Sequence, residues 1–504
     1  MLTQADGTIA AAASTPESAE SLRTLLQAKL GGHQFVVVSN REPYMHVYED
    51  GRVSWIRPAG GVTVALDPIM QVSRGLWVAQ GSGEADQEVS DEKGFVEVPP
   101  DHPTYRLKRV WLSHEQEKNY YYGFANGALW PLCHVAFQRP VFLEEHWKGY
   151  CEVNEIFADR IAEEIGDDRA FVFIQDYHFA MLPRMLRARC PNAVLAQFWH
   201  IPWPNREVFG ICPWKQEILD GLLGNDMLAF QRRDHCLNFI ETVDRELEAR
   251  PDQELTAIVY QGHTTRIRAF PISVDFEGIS QKAASKETEE MTRALRRQYR
   301  IPENRILGLG VDRLDYTKGI VERLHALDAF FKRCPEYLGR LVFLQIGVPS
   351  RTHLPQYQAL SREVESQVES LNWKYGYRNW QPVILLRENF DLDTLVALYR
   401  MARFLIVSSL HDGMNMVAKE FVASQVDCKG VLMLSQFAGA ARELTDAISI
   451  NPYSPDLMAE QIREAVEMNP LEVRQRMERM RERVRENNVY KWAGSILKKL
   501  SKLG

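Results

Sequence analysis

Two cations in one short segment, Arg313 and Lys318, are the residues most readily assigned a chemistry. They stand in GVDRLDYTKG, residues 310–319. The apolar run 306–311 reads as a buried strand, and helical spacing of apolar residues resumes at Ile320. Arg313 and Lys318 therefore fall on a loop between the C-terminal end of a strand and the start of a helix, the edge at which open α/β sheets bind ligands. Fixed cations beside free helix N–H groups suit a phosphorylated ligand. The plain alternative is a local Arg313–Asp315 ion pair with Lys318 in water.

Other strand-like runs also end in polar residues. Run 35–38 delivers Arg41, and Gly60 and Gly61 precede a helical pattern, as a backbone approaching a phosphate would require. Run 171–174 ends in Gln175, Asp176, Tyr177 and His178; run 194–199 ends in His200; run 227–230 ends in Gln231. In the second half, run 341–347 leads to Arg351 and run 404–407 leads to His411, Asp412, Gly413, Met414 and Asn415. The aromatic cluster at 120–124, with Trp130, is interleaved with Gly123, Asn126, Gly127 and Pro131. That composition predicts irregular backbone on which ring faces could line a sugar pocket.

Asp391 and Asp393 form a DxD pair, read here as a helix cap rather than a metal site. The histidines and cysteines lack metal-ligand spacing, and there is no nucleophile elbow or P-loop. No metal and no other cofactor is expected. A leaving diphosphate would then be neutralised by Arg313, Lys318 and a helix N-terminus, with the helix after Gly413 as a second candidate and Glu420 in reach of a ribose diol.

The elements that must position these residues alternate strand and helix throughout, which predicts parallel α/β units. At 504 residues the chain exceeds one ordinary core. The expected fold is α/β, two Rossmann-like doubly wound domains facing a central cleft. The expected divisions are a partly disordered tail (1–32) with a surface helix near its end, a first Rossmann-like domain (33–273), a second (274–480) and a C-terminal helical segment (481–504) packing back on the first domain. A net charge of -7 argues against nucleic acid or an anionic membrane as partner. Seven cysteines without a CxxC pair imply free thiols in a reducing, cytoplasmic setting. No secretory signal or transmembrane-length run is expected, and a homo-oligomer is left open.

These motifs together resemble the trehalose-6-phosphate synthase family, retaining glycosyltransferases of GT-B fold. The resemblance runs from about Phe35 to Asn451 through SNRxP (39–43), Gly60-Gly61, FANGALWP (124–131), QDYH (175–178), HIPWP (200–204), GVDRLDYTKG (310–319), VPSR (348–351), DGMNMVAKE (412–420) and SQFAGAA (435–441). It implies that Arg313 and Lys318 hold the diphosphate of a nucleotide sugar, that Glu420 binds the ribose, and that Asp412 with the backbone at Gly413, Met414 and Asn415 holds the donor glucose and its phosphate. It places His200 near the reaction centre. It assigns Arg41, Tyr121, Trp130 and Arg351 to an acceptor phosphate and Asp176 to an acceptor hydroxyl. The implied reaction moves glucose from a nucleotide diphosphate donor, UDP-glucose foremost, to glucose 6-phosphate by front-face attack. The alternatives are glycerol 3-phosphate as acceptor, which Arg41-Glu42-Pro43-Tyr44 also resembles, and a non-catalytic sugar-phosphate-binding subunit. The chain departs from the family pattern at Glu42, Gln80, Gln175, Trp199, Trp203 and His411.

Overall fold

The computed structural model describes residues 18–30, 33–58, 61–252 and 256–503. The N-terminal segment 1–17 and Gly60 lie outside the described residues. Two sheets organise the chain. The larger runs, in spatial order, Arg250–Asp252, Ala257–Tyr260, His263–Ala269, Met227–Phe230, Val194–Trp199, Ala170–Gln175, Gln34–Arg41, Leu76–Gln80, Tyr105–Val110 and Phe95–Val98. Its centre is parallel, and antiparallel strands close both edges. The smaller sheet is parallel throughout, in the order Val383–Leu386, Leu341–Val348, Ile306–Arg313, Phe404–Val407, Val431–Ser435 and Ile448–Ile450.

In each sheet the chain starts at a central strand, winds outward on one side, then returns to wind outward on the other. The order reverses between Gln34–Arg41 and Ala170–Gln175 in the first sheet, and between Ile306–Arg313 and Phe404–Val407 in the second. At a reversal the flanking loops diverge and leave a crevice at the carboxyl ends of the strands. Arg41, Asp176, Arg313 and Asp412 all lie at or just beyond the carboxyl ends of these four strands.

The two halves are joined twice. The segment after Ala269 leads into the helix Phe276–Ala283, which packs on Met416–Ser424 of the second half. The return path is the helix Pro470–Glu486, which packs on the same two helices, with Arg481 donating to the Val422 and Ala423 carbonyls. The division expected at 480 therefore falls inside a helix, and the chain leaves the second half after it. The helix Val489–Leu500 then lies against the first half, packing on Ala19–Leu30 and Gly61–Ser73, and its Val489 amide donates to the carbonyl of Val274 in the joining segment at 3.0 Å. The helix Ala19–Leu30 is more than a surface helix. Leu22, Leu25 and Leu26 are buried, and it packs on Gly61–Ser73 and Val489–Leu500.

The aromatic cluster corrects one expectation. Its backbone is regular, a π-helix over Lys118–Leu129 that continues as an α-helix over Trp130–His134. Gly123 serves close packing rather than a turn, because a β-carbon there would stand 2.5 Å from the His146 ring. The helix Glu144–Ile165 can approach only where that side chain is missing.

Trp492 pins the returning C-terminal helix. Its ring meets Phe173 and Phe198 at 6.2 and 5.4 Å, and its Nε1 donates to the Phe270 carbonyl at 3.2 Å. Trp492→Ala should cost about 3–5 kcal/mol. That would appear as a lower urea midpoint by fluorescence and circular dichroism. An unchanged midpoint would mean that the C-terminal helix does not support the first half.

Candidate active site

The second half contributes a loop held from behind by a buried arginine. Arg323 lies under the strand end, donating to Asp312 at 2.7 Å, Gln345 at 2.8 Å and the Ser408 hydroxyl at 3.0 Å. Gly310 leaves room for it, since a β-carbon there would stand 2.3 Å from its guanidinium. The Ser408 hydroxyl in turn donates to the Gly319 carbonyl at 2.7 Å. Gly319 itself sits at φ 61°, where only glycine fits against Ser408 and is unstrained. The turn Tyr316–Lys318 is thus fixed, and the Lys318 ammonium donates to Asp412 at 2.6 Å across the point where strand order reverses. Asp412 also accepts from Ser409 at 3.2 Å and Asn415 at 3.3 Å. Burial opposes its ionisation, but Lys318 outweighs that and holds the carboxylate below its ordinary range. Asn415 caps the helix Met416–Ser424 through a bond to the Ala418 amide. Glu420 is on that helix and accepts from the Tyr399 hydroxyl at 2.9 Å.

The first half supplies three phenols, Tyr120, Tyr121 and Tyr177, and the Trp130 ring. Neighbouring residues of one strand end meet neighbouring residues of the π-helix: Tyr120 donates to Asn40 at 2.8 Å, and Arg41 donates to Tyr121 at 3.1 Å. The Arg351 guanidinium, from the other half, stacks 3.9 Å over the Trp130 ring, and Arg313 lies 5.7 Å from the same ring. Arg351 also donates to Asp315 at 3.1 Å, to Tyr177 at 3.3 Å and to Tyr357. Asp315 therefore pairs chiefly with Arg351, and its contact with Arg313 is longer, at 3.9 Å. Burial would raise the Asp315 pKa, yet Arg351, Arg313 and Lys318 bring it to about 2.

The halves touch where the two sheets' crevices face. A β-carbon on Gly413 would stand 2.2 Å from the His200 carbonyl, so this approach requires glycine. His411 Nδ1 bonds the His134 carbonyl at 2.7 Å. Asp176 adopts φ 71° and ψ 179°, a strained conformation that persists because its carboxylate accepts from the amides of Tyr177 at 3.0 Å and His200 at 3.1 Å. Burial pushes its pKa up to about 7.

The cleft thus collects Arg41, Tyr121, Trp130, Asp176, His200, Arg313, Lys318, Arg351, Asp412, Gly413 and Asn415. Met414 is buried beside them. Gly61 opens the helix Gly61–Ser73, and Glu420 bonds Tyr399 rather than any of these residues. Asp391 caps the helix Leu392–Met401, and Asp393 pairs with Lys282. Sequence reasoning misses Asp315, Tyr177, Tyr357 and Gln231 as members of the site. Asp315 and Tyr177 lie inside two of the motifs, but nothing in the spacing around Tyr357 marks it.

Two doubly wound sheets with a cationic cleft between them define the class, a GT-B glycosyltransferase. The model of glycosyltransferase family 20 matches residues 33–502, and the chain belongs to that family. A trehalose-6-phosphate synthase of Mycolicibacterium smegmatis is 36% identical over 482 residues, covering 94% of this chain and 93% of the relative. An Escherichia coli structure described as bound with UDP-2-fluoro glucose superposes with a TM-score of 0.82 at 30% identity, covering 93% of this chain and 99% of that one. A trehalose-phosphate synthase from Burkholderia xenovorans in complex with glucose-6-phosphate gives 0.83 at 29% identity, with the same coverage.

Tyr121 reports the field of the cleft. Burial opposes its ionisation, but Arg41, Arg351 and Arg313 overcome this and bring the phenol to about 7. Because the fold favours the phenolate, its contribution to stability is absent below about pH 7 and grows as pH rises toward the ordinary phenol value of about 10. A spectrophotometric titration should show one tyrosine ionising near pH 7, lost in Tyr121→Phe and shifted upward in Arg41→Ala. If no tyrosine ionises below about pH 9, the cluster lacks the positive potential described.

Proposed function

We propose that this chain transfers glucose from UDP-glucose to glucose 6-phosphate with retention of configuration, giving α,α-trehalose 6-phosphate. The observation that carries the reading is the cation cluster fed from both halves, Arg41 on Tyr121 and Arg351 on Tyr177 and the Trp130 ring. A phosphate dianion suits that field better than a phenolate does. The two substrates take their identity from the relatives, one described with a UDP-glucose analogue and one with glucose-6-phosphate.

In this reading residues 33–273 form the acceptor domain and 274–480, with the rest of its last helix, the donor domain. Arg313 and Lys318 neutralise the leaving diphosphate, the Gly60–Gly61 turn and the Gly413–Asn415 backbone approach donor phosphate and sugar, and Glu420 binds the ribose. Arg41, Tyr121, Trp130 and Arg351 hold the acceptor phosphate, and Asp176 accepts from an acceptor hydroxyl. Double displacement would need a carboxylate nucleophile at the anomeric carbon. Asp315, Asp412 and Glu420 are engaged by Arg351, Lys318 and Tyr399 respectively, and Asp176 is held by two backbone amides. These engagements support front-face attack, in which a leaving phosphate oxygen takes the acceptor proton and the protein supplies position and charge. No resident cofactor is needed, and the chain acts in the cytoplasm.

The shorter acceptor gains no support. Glu42 and Tyr44, which carry the likeness to enzymes that use it, turn into buried networks, Glu42 with Arg109 at 2.7 Å and Tyr44 with Asp67 at 2.8 Å.

Product analysis across UDP-, GDP- and ADP-glucose against glucose 6-phosphate and glycerol 3-phosphate tests the reading directly. Preference for glycerol 3-phosphate would overturn it. Arg313→Ala and Lys318→Ala should each lower kcat by roughly two to four orders of magnitude. Arg351→Ala should raise KM for glucose 6-phosphate roughly ten- to a hundredfold while nucleotide binding is nearly unchanged.

The pH profile has a stated shape. Acceptor kcat/KM should peak near pH 7. Below the peak Asp176 is protonated and cannot accept from the hydroxyl. Above it the Tyr121 phenolate takes the positive charge that the phosphate needs. Asp176→Asn should flatten the acid limb of the residual activity and Tyr121→Phe the alkaline limb. Limbs unaffected by both changes would dissociate these groups from acceptor binding.

A further inference from the structure

We propose that Gln175 and Gln231 are positioning residues that hold His200 in one tautomer, neutral with its proton on Nε2, so that the imidazole forms a wall of the glucosyl pocket and serves as neither acid nor base. The placement of His200 in that pocket rests on the family resemblance, which puts it near the reaction centre, and on the function proposed above. The tautomer itself does not.

The polarity runs along a chain of bonds whose two ends are fixed by backbone. At one end the Ile272 amide, which can only donate, bonds Gln231 Oε1 at 2.9 Å. Gln231 therefore turns Nε2, a donor only, toward His200 Nδ1 at 3.3 Å. At the other end the Phe173 carbonyl, which can only accept, faces Gln175 Nε2 at 3.3 Å. Gln175 then presents Oε1 to His200 Nε2 at 2.9 Å. Reversing either amide would oppose like groups at its backbone contact, donor against donor at Ile272 or acceptor against acceptor at Phe173. The histidine is left with an acceptor at Nδ1 and a donor at Nε2, and both are occupied.

The surroundings agree. The ring lies against Phe198, with centroids 4.4 Å apart, and burial drives its pKa down to about 3. The titratable groups beside it are Asp176, whose carboxylate takes the His200 main-chain amide rather than the ring, and His178, which burial and the Arg351 and Arg41 charges keep neutral. Ile272 is tied at its other main-chain group as well, where its carbonyl accepts from the buried Lys419 at 2.7 Å. Gln231 is thus anchored in the segment that joins the halves, not in a loop free to turn.

Full-length enzyme carrying ¹⁵N-histidine tests this by NMR, with His200 assigned through the signals absent from His200→Asn. The expected spectrum shows a proton on Nε2, an unprotonated Nδ1, and no titration between about pH 5.5 and 8. A proton on Nδ1, or titration in that range, overturns the proposal. Gln231→Glu replaces the donor to Nδ1 by an acceptor and should move a proton to Nδ1. It should also lower kcat roughly ten- to a hundredfold with both KM values nearly unchanged. Gln175→Glu keeps an acceptor toward Nε2 and should retain the wild-type tautomer and more activity than Gln175→Met. A wild-type tautomer in Gln231→Glu, or equal losses in the two Gln175 variants, also overturns it. If Gln231→Glu does not fold, the wild-type spectrum and the Gln175 pair decide. Failure of the substrate assignment would look different: no transfer from UDP-glucose to glucose 6-phosphate, with the wild-type Nε2–H spectrum intact.

Discussion

Four cations converge on one cleft, and the rest of the site is arranged around the cost of that crowding. Arg41 and Arg351 come from opposite halves, and Arg351 opposes the charge on Arg41, while Arg313 and Lys318 approach from the same loop. Like charges removed from water repel strongly unless something answers them. Asp315 and Asp412 answer part of the charge, Asp315 fully buried under Arg351 and Asp412 under Lys318. Trp130 answers another part by offering its ring face to both Arg351 and Arg313. Tyr121 feels the field of Arg41, Arg351 and Arg313 together. A site balanced in this way is held together by the protein yet still favours an anion, which is the condition for binding phosphates reversibly in a chain of net negative charge.

Holding those charges in place requires backbone that ordinary residues avoid. Asp176, Arg351 and Asn415 all have positive φ, and none is a glycine. Each is fixed by its own side chain: Asp176 by two amides, Arg351 by Asp315, Tyr177 and Tyr357, and Asn415 by capping the helix Met416–Ser424. Strain is tolerated where the surroundings over-determine the conformation. The closeness of the halves depends on a glycine instead, because any side chain on Gly413 would displace the His200 carbonyl. The position of the donor segment and the conformation of the segment carrying His200 are therefore mutually set.

Much of this is legible in the amino-acid sequence, for one physical reason. Parallel strands buried on both faces read as apolar runs, and the residues just beyond each run stand at the crevice edge. That logic locates Arg41, Asp176, His200, Arg313, Arg351 and Asp412 without any coordinates. It fails where the periodicity carries no sign of a wider helix. A π-helix has the same apolar and aromatic content as an irregular segment rich in glycine, so 118–129 reads as irregular, although glycine at 123 is required for packing. It also fails for partners that approach from an ordinary helix. Tyr357 belongs to Pro355–Tyr375 and looks like core until Arg351 is seen against it. Gln231 stands at a strand end, but its use of both amide atoms exists only in three dimensions.

The departures from the family pattern obey the same accounting of buried polar groups. An unsatisfied buried donor or acceptor costs more than a satisfied one gains, so a polar residue at such a position is favoured where its partners are met. Gln175 meets His200 and the Phe173 carbonyl. His411 meets the His134 carbonyl, keeping a contact between the halves. Glu42 meets Arg109 and the Ser82 amide, and Arg109 is shared with Asp86 and His46 in a buried network directly behind Arg41. Trp203 bonds Thr242 and stacks on Phe209. Trp199 is held instead by ring packing against Trp203 and Tyr177, and its Nε1 makes no hydrogen bond among the described residues. Gln175, His411, Glu42, Trp199 and Trp203 therefore support the elements that carry the cleft charges Arg41, Arg313, Lys318 and Arg351. Supporting bonds can be rebuilt from other side chains, but the fork geometry and permanent charge of arginine have no substitute among them.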